Sequence, residues 1–244
     1  MADIKLLAVL IDADNVPARH AAAILKEITS FGEPALKRVY GDWSSPALSA
    51  WKIQARDLGM VMHQQSANTV GKNASDIGLV IDAMDILHRG KFDGFVLVSS
   101  DSDFTRLASR IREDGLEVIG IGEAKTPAAL RNVCNRFVLI ENIVGSSDPS
   151  EKPGPADTGR PASAAPKKEP AVKAITLILD AMKKIDPDQE WYPLGLLGQF
   201  IIKAKPDFDP RTYGSGKLSD LMTKTGRFEV MTGPNNSLSV RDKA

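Results

Sequence analysis

Cysteine is almost absent from this chain of 244 residues, where Cys134 stands alone. A single cysteine excludes an intramolecular disulfide and fits a reducing compartment. Histidine is scarce too. His20, His63 and His88 are scattered along the chain, which argues against a zinc site. No apolar run is long enough to span a bilayer. The first apolar stretch, "LLAVLIDADN", is too short and too soon acidic for a signal peptide. A cytoplasmic protein with no membrane partner is expected. Net charge is missing as well, with 31 basic and 31 acidic residues. The balance is uneven, at −2 up to Val144 and +2 from Ala171 onward. Neither value is large enough to argue for nucleic acid by itself.

Large apolar residues are also missing from one internal segment, residues 146–170, which holds six of the fifteen prolines. Such a stretch cannot bury a core and reads as a flexible linker. It divides the chain into a domain over 1–145 and a smaller one over 171–244. The first alternates strand and helix signals. Strands are expected at Leu6–Asp12, Leu36–Gly41, Met60–Gln64, Phe95–Ser99, Glu117–Ile121 and Phe137–Ile140. Helices are expected at Pro17–Ser30, Pro46–Leu58, Ser75–His88, Phe104–Asp114 and Pro127–Asn132. Near-continuous apolar strands in this alternation imply an α/β fold, a parallel sheet with helices on both faces. The second domain shows three helical patterns followed by "RFEVMTG" and "NSLSVRD", which alternate like a hairpin. Three helices and a hairpin form a winged-helix pattern.

Two strands of the first domain end in acid. "LLAVLIDADN" reaches Asp12 and Asp14, and "GFVLVSSDSDF" reaches Asp101 and Asp103. In open α/β sheets ligands sit beyond the carboxyl ends of the strands. A third acid, Asp76, opens the helix of "KNASDIGLVIDAMD". Its apolar face is read as Ile77, Val80, Ile81 and Met84, with Asp76 about 40° from Val80 and so close to the buried stripe. Asp12, Asp76 and Asp101 should then share one rim. Carboxylates ~4 Å apart repel by about 4 kcal/mol per pair at an effective dielectric near 20. A hard cation such as Mg²⁺ or Mn²⁺ relieves that cost. Each acid alone is more often structural. Asp12–Asn15 before Pro17, and Asp101–Asp103 before Phe104, both read as helix caps, and Asp76 suits a helix dipole. The shared rim tips the balance, because independent caps need not gather. Asn15, Ser99 and Ser100 could orient a water or a ligand oxygen there. Lys72 and Thr126, the latter a cap for the helix after Pro127, could meet phosphate. Asp42 and Trp43 flank the same edge. Asp82 reads as salt-bridged or as touching the site from behind, and Asp85 as solvated.

"IDADN" (11–15), "KNASDIGLVIDAMD" (72–85) and "VSSDSDF" (98–104) together resemble the NYN family of the PIN-like nuclease superfamily, over roughly 4–143. The resemblance implies a Rossmann-like sheet and Mg²⁺- or Mn²⁺-dependent RNA cleavage. It places the metal-binding acids on Asp12, Asp76 and Asp101, with Asp103 as a nearby fourth and Asn15 at the polar position after the first. Ser100 and Ser102, on either side of Asp101, stand where many members carry glycines.

"WYPLGLLGQFI" (191–201) and "KPDFDPRTYGSGKLSDLM" (205–222) resemble the OST-HTH, or LOTUS, family, over about 171–241. That resemblance implies RNA binding or, in some members, a protein partner. Its candidate contacts are Arg211, Tyr213, Lys217 and Lys224, with packing the competing reading for Tyr213 and solvation for Lys224. PIN-like domains often pair, so a homodimer is open. The whole reads as a metal-dependent ribonuclease, an endoribonuclease by this resemblance, with a tethered RNA-binding module. The rivals are a non-catalytic RNA-binding adaptor and a metal-dependent phosphatase.

Overall fold

The computed structural model describes residues 4–64, 74–145 and 168–243. It divides into two compact units, Met1–Ala162 and Ser163–Ala244. Lys72 and residues 146–167 of the expected linker lie outside the described residues. Glu169, at the end of that expected linker, donates its backbone N–H to the Thr212 carbonyl of the second unit.

In the first unit six strands run β1 (Leu6–Asp12), β2 (Glu33–Gly41), β3 (Val61–Gln64), β4 (Gly94–Val98), β5 (Glu117–Gly122) and β6 (Arg136–Leu139). All pair in parallel, in the order β3-β2-β1-β4-β5-β6. This is the doubly wound arrangement, whose switch point lies between β1 and β4. The helices are α1 (Ala21–Ile28), α2 (Ser49–Asp57), α3 (Ala74–His88), α4 (Thr105–Glu113), α5 (Ala128–Val133) and α6 (Ile140–Val144). The last of these, a short helix after β6, carried no sequence signal.

Side chains of a strand alternate between faces, and the buried residues follow that rule. Leu7, Val9 and Ile11 point into a core with Ile24, Ile28, Trp51 and Ile143, from α1, α2 and α6. Ala8, Leu10, Phe95 and Leu97 point into the opposite core with Leu79, Ile86, Ile111 and Leu130, from α3, α4 and α5. The apolar runs of β1, β4 and β5 are thus explained by burial on both sides, whereas β3, at the edge of the sheet, leaves Val61 and Met62 exposed.

The apolar face assigned to α3 from sequence needs correction. Leu79, Ala83, Ile86 and Leu87 are buried, whereas Ile77 and Ile81 are 62% and 59% exposed. Val80 and Met84 pack only at the margin of the core. The helix carries apolar residues nearly all round, so periodicity alone could not choose its face. The chosen stripe was off by about a third of a turn. Asp76 still lies on the buried side, within about 20° of Ala83 and Leu87 on the helical wheel.

The second unit contains α7 (Ala174–Ile185), β7 (Tyr192–Pro193), α8 (Leu194–Ala204), α9 (Leu218–Thr225), β8 (Phe228–Thr232) and β9 (Leu238–Asp242). Its strands form an antiparallel sheet in the order β7-β9-β8. The expected hairpin turns through Asn235 and Asn236, at φ 58° and 61°. Asparagine tolerates this left-handed region better than most residues. Phe208, Tyr213, Leu221, Met222, Phe228 and Val240 fill the core with α7 and α8. Among the described residues, no helix is long and apolar enough to cross a membrane.

Candidate metal centre at the carboxyl edge of the sheet

Asp12 continues the Ala8–Leu10 face of β1, and Ser99 continues the Phe95–Leu97 face of β4. Adjacent strands therefore bring the two side chains together. Ser99 Oγ donates to Asp12 Oδ2 at 2.8 Å, and both residues are buried. Asn15 Nδ2 donates to the same oxygen at 2.6 Å. The backbone N–H groups of Asp14 and Asn15 approach Asp12 Oδ1 at 3.1 and 3.3 Å. A buried carboxylate surrounded by donors is held in one orientation. Burial raises its pKa, and the bonds from Asn15 and Ser99 oppose that shift.

The chain then turns away from β4. Ser99 Oγ accepts from the N–H of Asp101 at 3.1 Å, and Ser100 Oγ accepts from the N–H of Glu123 at 2.9 Å. Asp101 caps the short 3-10 turn Ser102–Phe104 by accepting from the N–H of Asp103 at 2.9 Å. Serines replace glycines here without strain, since Asp101 sits at φ −86° and no non-glycine residue of this turn has positive φ. The close approach falls instead to Gly122 on β5. A Cβ there would lie 2.6 Å from the Ser99 carbonyl and 2.7 Å from Thr126 Oγ1.

Asp76, Asp101 and Asp103 each offer a carboxylate oxygen, and the three oxygens lie within 4.8 Å of one another. The trio differs from the expected one. Asp103, expected as a nearby fourth, is part of it, while Asp12 is engaged by Ser99 and Asn15. Asp12 remains close enough to act on Asp76. The Asp76 carboxyl is pushed up to about 6, first by burial and then by the charges of Asp12, Asp101, Asp103 and Asp14. The cap readings and the shared-rim reading both hold for Asp101, because one of its oxygens can cap while the group faces Asp76. A set of oxygen donors under mutual repulsion fits a hard divalent cation.

Other expected contacts fare differently. Thr126 is buried, and its hydroxyl donates to the Glu123 carbonyl at 2.6 Å. Pro127, without any side-chain bond, occupies the cap position of α5. Thr126 therefore closes a loop and presents no group to a ligand. Asp42 accepts from Ser44 and Gln64, and Trp43 Nε1 donates to the His63 carbonyl at 2.8 Å, so both shape the rim from within. In the second unit Tyr213 is 4% exposed and packs on Phe208, which makes it core rather than contact. Arg211 is gripped by Asp209, with Nε and Nη2 at 3.0 and 2.8 Å from Oδ2. Lys224 Nζ donates to the Tyr213 and Gly214 carbonyls at 3.0 and 3.3 Å. Lys217 is exposed at the first position before α9.

Sequence reasoning left undecided a cluster beside the acids. Asp82, six residues after Asp76 on α3, accepts from Arg38 and from the Tyr40 hydroxyl, both on β2. His63 of β3 lies 3.9 Å from the same carboxylate. The available signal was "LKRVYG", where an arginine and a tyrosine two apart interrupt the apolar pattern of a strand.

The NYN domain family matches residues 6–141. The chain belongs to the NYN family. Residues 166–240 match the OST-HTH/LOTUS domain, so the two domains follow one another in that order. Of solved structures, a protein of unknown function from Vibrio parahaemolyticus is similar at 22% identity and a TM-score of 0.50, covering 57% of this chain and 95% of its own. That likeness concerns the fold alone. An uncharacterized protein from Nitrosomonas europaea is 29% identical over 40% of this chain and 92% of its own, with a TM-score of 0.26. No curated protein matches the sequence.

Proposed function

We propose that this NYN protein is a Mg²⁺- or Mn²⁺-dependent ribonuclease, an endoribonuclease, whose OST-HTH/LOTUS domain binds RNA at the end of a tether. The observation that carries this reading is the gathering of Asp76, Asp101 and Asp103 within 4.8 Å, at the carboxyl edge of an NYN sheet. Those three residues would hold the cation. A divalent cation, when bound, neutralises charge building at phosphorus and makes water more acidic.

The chain's own groups supply the rest. Ser99 and Asn15 keep Asp12 in one orientation. Asp12 adds negative charge that favours a cation over an empty rim. The division of labour follows the domains: chemistry in 1–145, a linker over 146–170, and RNA capture in 171–244. Lys217 and Lys224 are the candidate phosphate contacts that are exposed in the second domain, Lys224 with its Nζ bonded to the Tyr213 and Gly214 carbonyls. The lone cysteine is buried, in keeping with a cytoplasmic setting.

Incubation of the full chain with labelled RNA, labelled DNA and a generic phosphate ester, in Mg²⁺, Mn²⁺ or EDTA, tests the reading. Metal-dependent cutting of RNA is expected, with internal products appearing before single nucleotides. RNA binding without cleavage in either metal would make the protein an adaptor. Turnover of the ester alone would make it a phosphatase.

A further inference from the structure

Like charges crowd at one end of α3, and a cation site of this kind needs something to resist their repulsion. The apolar contacts of α3 cannot do so alone. Leu79, Ala83, Ile86 and Leu87 are held by burial, which is non-directional, so the helix could rotate or slide while keeping them covered. Asp76 is the residue such a slip would move first, because it lies in the first turn and faces Asp101 and Asp103.

Asp82 is placed to prevent it. It stands about 9 Å further along the axis than Asp76 and about 120° round the helix, at the far edge of the buried stripe beyond Ile86. Its carboxylate accepts from Arg38 and from Tyr40, which project from one face of β2 two residues apart. Its side chain is 17% exposed, as is that of Arg38, and Tyr40 is 1% exposed. Tyr40 is itself fixed. It pairs in register with Asp12 on one side and His63 on the other, and its ring rests 5.2 Å from the His63 ring. The His63 carbonyl is in turn held by Trp43 Nε1 at 2.8 Å. Charge-assisted bonds from two donors of one strand set both rotation and height.

We propose that Asp82, through Arg38 and Tyr40, is a positioning residue that sets the rotation and axial place of α3, and so holds Asp76 opposite Asp101 and Asp103 in a geometry that binds a divalent cation. This rests on the cation reading of the acidic trio. Partners that orient ligands without touching the metal typically change metal affinity by ~10–100-fold.

The test is Mn²⁺ titration of the full chain, following free Mn²⁺ by electron paramagnetic resonance, with circular dichroism to confirm folding. Asp82→Ala should weaken Mn²⁺ binding by about tenfold or more. Asp82→Asn, which keeps an acceptor for Tyr40 and Arg38, should recover part of that loss. Asp85→Ala, an exposed residue on the same helix, should bind as the wild type does. A purely structural role would lower the melting temperature of Asp82→Ala and leave its Mn²⁺ affinity unchanged below the transition, which overturns the proposal. Should Asp82→Ala fail to fold, Tyr40→Phe removes one hydroxyl and keeps the ring. A several-fold weaker affinity is expected there, and wild-type affinity overturns the proposal. A wild-type chain with no saturable Mn²⁺ binding overturns the cation reading and this inference together. Wild-type binding that is lost in Asp101→Asn but unchanged in the Asp82 variants overturns the inference alone.

Discussion

The three arginines beyond residue 170 are all held by carboxylates: Arg211 by Asp209, Arg227 by Asp242, and Arg241 by Glu190 and Glu229. The NYN unit does the reverse at its sheet edge, where Asp76, Asp101 and Asp103 face one another. Paired charges give a surface with little to gain from an added ion. Crowded like charges carry a cost that folding elsewhere must cover and that a cation removes. The chemistry is therefore expected in the first unit and capture in the second, even though the second carries the positive balance.

The contrast breaks most sharply at the acids. Asp101→Asn or Asp76→Asn should lower metal-dependent RNA cleavage by a factor on the order of 10² or more while circular dichroism stays unchanged. Full cleavage by either folded variant, or by the wild type in excess EDTA, would remove the acidic edge from the mechanism.

The next effect lies in the division between units. The proposed linker, about 25 residues over 146–170, would have an r.m.s. reach of roughly 25–30 Å as a flexible coil, and would present captured RNA at an effective concentration on the order of mM. Truncation after Val144 should leave a metal-dependent nuclease with KM raised about tenfold and a shallower dependence on salt. Rates against RNA concentration at two ionic strengths measure both. Equal KM and equal salt slopes would assign the second unit to a protein partner.

A smaller effect sharpens the cost of crowding. The folded-state pKa of Asp76 is raised to about 6 from an ordinary 3.8. Between these values the native chain binds more protons than the unfolded chain, so metal-free stability should fall as pH rises through this window and level off above it. Asp76→Asn should flatten that slope. At pH 7 it should gain ~1 kcal/mol, the two-unit shift being discounted for solvent exposure. Thermal melts of the metal-free protein from about pH 4 to about pH 8, which bracket the window between the two pKa values, provide the check. Stability rising with pH across that window would show that repulsion does not dominate at Asp76.

The smallest expected effect is at Asp85, which is exposed on the outer side of α3. Asp85→Asn should keep turnover within a few-fold of wild type. A loss matching that of Asp76→Asn would mean that the outer face of α3 also meets substrate.

Much of this was legible in the residues. Six strand-like runs, most of them apolar, alternating with helical patterns, can hardly fold except as a parallel sheet covered on both faces, and strand polarity then sends Asp12 and Asp101 to the same edge. The sequence by itself thus determined the strands, the shared rim and the presence of a second small domain, because period, burial and chain direction are local properties. Three matters were decided only by tertiary structure. The face of α3 was one, since a helix apolar nearly all round takes its orientation from the sheet beneath it. The membership of the trio was another: the Ser102–Phe104 turn carries Asp103 alongside Asp101, while Ser99, brought alongside by the β1–β4 pairing, bonds Asp12. The third was the bond from Asp82 to Arg38 and Tyr40. It joins residues more than forty positions apart, and the register of β2 against β1 and β3, which no local pattern encodes, is what brings them into reach.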